Sequence, residues 1–119
     1  MTRLAQNLFK QVPNWKVYVG GMKTACSRAS NTNYDPRFNP PLWVDVAAQD
    51  CKARDVPIGS FTGDLKGGAL PRFTILVPGL CQSMTFNRRC VRGLKATTSD
   101  FVANGDRWLG ARLDQITHS

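Results

Sequence analysis

The segment Asn33-Tyr-Asp-Pro-Arg-Phe-Asn-Pro-Pro-Leu-Trp43 constrains the fold more than any other stretch of the chain. Pro36, Pro40 and Pro41 lack backbone donors and push each preceding residue toward extended or polyproline geometry. The spacing predicts an extended proline-rich arm over residues 33–43. Tyr34, Phe38 and Trp43 lie along it, and large aromatic side chains are costly to leave in water. Either the chain's own core or a partner groove must take them, and the arm's length and poverty of secondary structure favour the partner.

The flanking segments divide by hydrophobic period. At the N-terminus Thr2 can cap a helix in which Ala5, Leu8, Phe9 and Val12 follow the i, i+3, i+4, i+7 pattern. Arg3 and Lys10 fall on the opposite face, and Pro13 ends the element. An amphipathic helix over residues 1–13 is therefore predicted, with Leu8 and Phe9 joining the arm's aromatics as partner-docking residues. Trp15-Lys-Val-Tyr-Val19 reads as a short strand broken by Gly20-Gly21, and Leu42-Trp-Val-Asp-Val-Ala47 alternates like another. Residues 48–71 read as polar, glycine-rich loop. Arg72-Phe-Thr-Ile-Leu-Val77 is the clearest strand, with Phe73, Ile75 and Val77 inward and Ser83–Asn87 as its pairing partner. From Ser99-Asp100 to about Ile116 a stripe of Val102, Leu109, Leu113 and Ile116 predicts a helix, although Asn104-Gly105 is also the hairpin dipeptide.

At 119 residues the chain has room for one small core. The expected architecture is α+β in a single domain over 1–119: the N-terminal helix, the extended arm at 33–43, and a compact part over 72–116. That compact part is expected to hold a small antiparallel β element and the C-terminal helix. No apolar run approaches the roughly 20 residues of a membrane span.

Charge narrows the partners. Sixteen Lys and Arg against eight acids give +8 and a pI near 9.9, which favours anionic surfaces. No acid occurs before Asp35 or between Leu65 and Ser99. Within the second of these stretches Arg88, Arg89, Arg92 and Lys95 form the densest positive patch, expected to meet RNA phosphate, an anionic lipid surface or an acidic protein face. The acid-free start has the composition of a mitochondrial targeting segment, expected to stay on the chain and be held by a partner.

Catalytic chemistry finds few candidates. All acids are Asp, glutamate is absent, and the one histidine is His118, next to the C-terminus. The glycine pairs match neither phosphate-binding pattern, and no metal-ligand spacing links the carboxylates or Cys26, Cys51, Cys81 and Cys90. The thiols are expected to be small buried hydrophobes rather than disulfides. No catalytic residue, cofactor, metal or small-molecule substrate is expected.

These observations favour a non-enzymatic accessory subunit of a large multiprotein assembly, foremost a mitochondrial respiratory-chain complex, in the matrix or associated with the inner membrane. Two other readings are an RNA-contacting protein of an organellar ribosome and a structural protein of a virion or phage.

Overall fold

A computed structural model of the chain describes residues 7–84 and 98–118. Its centre is a three-stranded, all-parallel sheet of β1 (Trp15–Val19), β2 (Asp55–Pro57) and β3 (Phe73–Val77), in the order β2-β1-β3. Trp15 pairs with Phe73 and Val19 with Val77, while Val17 to Val19 pair with Asp55 to Pro57 on the other side. Among the described residues the sheet is parallel throughout, in place of the expected antiparallel element. β3 lies against β1; of its expected partner Ser83–Asn87, residues 83 and 84 form a turn and residues 85–87 lie outside the described residues.

Period-two alternation explains both faces of β1. Trp15, Val17 and Val19 join Phe9, Met22 and Tyr34 in one buried cluster, onto which Val44, Val46, Phe73, Ile75 and Val77 pack. The even positions face the other way, where the Tyr18 ring meets Phe61 edge-on at 5.3 Å and Lys16 reaches Asp64. A strand covered on both faces suits the middle of a parallel sheet. Pro57 sits on an edge strand, where a proline is tolerated.

Helices supply the second face and the crossovers that parallel strands need. α1 (Leu8–Gln11) is capped by Asn7, whose side chain accepts from the Lys10 amide, so the described helix is one turn. α2 (Ala48–Arg54) and α3 (Gly59–Lys66) occupy much of the segment expected to be loop. Gly59 and Gly63 masked α3 in the sequence by lowering its helix propensity.

The proline-rich arm is folded, not extended. Asp35 caps a 3-10 turn at Pro36–Phe38, a second turn follows at Pro40–Trp43, and prolines at the first helical positions suit both. That second turn takes the start of the expected Leu42–Ala47 strand. Pro40 and Pro41 pre-set helical φ there, and Val44 and Val46 still reach the core from the irregular backbone beyond.

α4 (Thr98–Thr117) runs through Asn104-Gly105 as one helix, not a hairpin. Gly105 is buried against Met84, and a Cβ there would fall 2.2 Å from the Met84 Cγ, so close packing occupies the dipeptide that a turn would have used. Among the described residues no helix is long and apolar enough to cross a membrane.

Candidate functional site

With β1 central, the chain leaves its carboxyl end toward β2 on one side, while β3 closes the other side. The loops after β1 and β3 both leave from this carboxyl edge, the side on which open parallel sheets place their binding crevices. A cleft of about 260 Å³ occupies that position, lined by Val19 at the end of β1 with Gly20 after it, Val77 at the end of β3 with Pro78 and Leu80 after it, and Tyr34 and Phe38 from the arm.

Backbone contacts hold the two loops in register. The Gly20 amide donates to the Val77 carbonyl at 2.7 Å, and a Cβ at Gly20 would lie 2.4 Å from the Gly79 nitrogen. Asn33 ties the rim: its carbonyl accepts from the Leu80 amide at 2.9 Å and its Oδ1 from the Cys81 amide at 2.8 Å. A Cβ at Gly79 would sit 2.6 Å from the Asn33 Nδ2. Glycine at both positions is what lets the chain approach itself this closely.

The cleft's lining is mainly apolar, and its carboxylate is already engaged. Arg37 donates to Asp35 Oδ2 from Nε at 2.9 Å and from Nη2 at 2.6 Å, and these bonds hold the Asp35 carboxyl below the usual range. Phe38 stands at the rim with 58% of its surface exposed.

The expected docking residues separate into two groups. Phe9 and Tyr34 are buried in this chain's own core, and the Trp43 indole donates to the Pro36 carbonyl at 2.8 Å. Leu8 and Phe38 remain exposed. Tyr34 lines the inner wall of the cleft while Phe38 lines its mouth, so the structure brings these two together. Arg88, Arg89, Arg92 and Lys95 lie outside the described residues. α4 presents a second apolar surface, with Val102, Leu109, Leu113 and Ile116 all exposed.

A buried polar cluster lies on the other side of Tyr34. Asp55 is fully buried at the start of β2, and Asn39 Nδ2 donates to its Oδ2 at 2.7 Å and to the Tyr34 hydroxyl at 3.0 Å. Asp55 Oδ1 and the Asn39 amide oxygen, Oδ1, have no partner among the described residues. Burial pushes the Asp55 carboxyl up to about 6 against the opposing pull of Asn39. Cys51 Sγ is 3.8 Å from Asp55 Oδ2.

Cys51 is bonded to Cys26, and Cys81 is oxidised as well. The expectation of free thiols is thus overturned. The 25-residue separation gave no local signal of the pairing, which the fold makes by setting Cys26 across from α2 with Cα atoms 5.5 Å apart. A metal would need thiolates, and both sulfurs are taken up by the S–S bond.

Asn33, Asn39 and Asp55 escaped the sequence reading because each acts through a contact distant along the chain. Only the Gly20-Gly21 and Pro78-Gly79 punctuation marked where the cleft would lie. No protein-family model, curated protein or solved structure matches the chain.

Proposed function

We propose that the chain is a non-enzymatic docking subunit of a larger protein assembly, and that its carboxyl-edge cleft receives one apolar side chain of a partner protein. The observation that carries this reading is the cleft itself, whose 260 Å³ opens beside the exposed Phe38 ring. Small-molecule sites usually enclose about 300–1,000 Å³ around several convergent polar groups. A smaller, mainly apolar recess matches a single buried anchor of the kind that dominates protein interfaces. The exposed stripe of α4 supports the same reading by offering a second apolar contact.

A mitochondrial respiratory-chain complex is the assembly we propose, on the strength of the basic, acid-free N-terminal segment. Disulfides persist in oxidising compartments. The Cys26–Cys51 bond therefore supports a place on the oxidising, intermembrane-space side of the inner membrane rather than residence in the matrix.

Native purification from source cells tests the proposal, with mass spectrometry of what co-migrates and Phe38→Asp as the comparison. The wild-type chain should travel with a defined set of protein subunits, and Phe38→Asp should shift it to the free fraction without changing its thermal midpoint. Release of the wild-type chain by ribonuclease, or unchanged incorporation of the variant, would contradict it.

A further inference from the structure

The Cys26–Cys51 disulfide has features that a merely structural crosslink does not need. Its two sulfurs are unequally placed: Cys51 is 4% exposed, whereas Cys26 is only partly covered. Both line a surface recess with Arg28, Lys52, Val44 and Pro41, so an attacking thiolate meets two cations on its way to the accessible sulfur. Cys26 also holds a left-handed backbone, with φ at 55°, a conformation that L side chains adopt at a cost. Behind the bond stands Asp55, with Oδ2 beside the buried Cys51 sulfur.

We propose that Cys26–Cys51 is an exchangeable disulfide that accepts electrons from a dithiol, with Cys26 as the attacked sulfur and Asp55 as proton donor to the departing Cys51. In the first step a thiolate of the dithiol forms a bond to Cys26 Sγ, the S–S bond breaks, and its electron pair leaves on Cys51 Sγ. A thiolate in apolar surroundings is disfavoured, and the Asp55 carboxylic acid neutralises it by passing its proton to that sulfur, becoming a carboxylate. In the second step the other thiolate of the dithiol attacks its own sulfur in the mixed disulfide. Cys26 leaves and takes a proton from solvent. The dithiol is oxidised by two electrons and the protein disulfide is reduced by two; Asp55 regains its proton from solvent.

The groups around Asp55 fit this role. Asn39 fixes Oδ2, the Tyr34 hydroxyl lies behind Asn39, and the facing β1 residue is Val17, which carries no charge. Arg28 and Lys52 line the outer recess, and Arg54 is turned away to the Trp15 carbonyl. In the disulfide Cys51 Sγ has no hydrogen, so its contact with Oδ2 becomes a hydrogen bond only when Asp55 is protonated and donates. The Asp55 value of about 6 provides that proton in mildly acidic solution.

The test is reduction of the folded full chain by dithiothreitol, followed by alkylation and peptide mass mapping at Cys26 and Cys51. Direct exchange predicts a rate first order in dithiol under conditions where the protein stays folded. Expressed per thiolate, the rate should rise at least about tenfold from pH 8 to pH 5, and Asp55→Asn should abolish that rise. A rate that saturates at the global unfolding rate would overturn the proposal without any variant, and so would an identical pH profile in Asp55→Asn. As a second variant, Arg28→Gln with Lys52→Gln should slow attack by glutathione, which carries carboxylates besides its thiolate, more than attack by dithiothreitol, whose only charge is its thiolate. Equal effects on both would contradict the assigned route of entry.

Discussion

Asp55 makes the stability of this molecule depend on pH in a sense opposite to that of most carboxylates. Its folded value of about 6 exceeds the ordinary 3.8, so the native state binds the proton more tightly than the unfolded chain. Stability from this group is full below the unfolded value and falls as pH rises through about 6, by on the order of 3 kcal/mol across the window. Asp64 acts the other way. Hydrogen bonds from Lys16 and Tyr18 lower its value, so its contribution is present above 3.8 and lost as acid is added. Chemical denaturation between pH 4 and 8 should show the Asp55 slope, and Asp55→Asn should remove it while raising stability at pH 8. A wild-type profile that rises steadily over that range would contradict the assignment. The residue was invisible as a special one in the sequence, where it is one of eight aspartates. Its surroundings are Val17 on the neighbouring strand, Asn39 and Cys51, contacts that the three-residue strand does not announce.

One contrast between two glycines and one side-chain clamp test how the elements hold together. Gly20 and Gly79 touch across the carboxyl edge, so Gly20→Ala must push the loops apart and should cost more than about 2 kcal/mol. Gly63 lies inside α3 with open space around it, and Gly63→Ala should instead stabilise by roughly 0.5–1 kcal/mol. Matching shifts in denaturation midpoint at the two positions would refute the close approach. On the opposite sheet face Tyr18 donates to Asp64 at 2.6 Å while Lys16 lies 2.8 Å from the same oxygen, which fastens α3 to β1. Asp64→Ala strands the hydroxyl of the buried Tyr18 and should cost about 1–3 kcal/mol; a loss below 0.5 kcal/mol would show that the clamp is dispensable.

Elements with strong local signals were legible and those made by distant contacts were not. β1 and β3 stand out as apolar runs between turn residues, and the stripe from Val102 to Ile116 marks α4. Strand direction was misread because both runs are short and nothing local distinguishes a parallel neighbour from a hairpin partner. Prolines at 36, 40 and 41 correctly exclude an α-helix, yet they fit a pair of 3-10 turns as well as an extended arm. The cleft combines residues from three such segments, so its existence required the fold.

At the scale of the whole molecule, the Cys26–Cys51 bond joins the long loop after β1 to α2, just ahead of β2. Closing a 25-residue separation contributes roughly 3.5 kcal/mol by restricting the unfolded chain. Cys26→Ser with Cys51→Ser should lower the denaturant midpoint accordingly, and an unchanged midpoint would show that the connection carries no such load. The same long loop delivers Tyr34 and Phe38 to the cleft, so the molecule's shape depends on a crosslinked segment that ends at its candidate docking site. A photoreactive phenylalanine analogue in place of Phe38, activated in source cells, tests the docking claim most directly. It should capture one protein subunit through an apolar side chain, and Leu80→Trp, which fills the cleft, should abolish capture. Crosslinking to RNA, or capture that persists with the cleft filled, would contradict it.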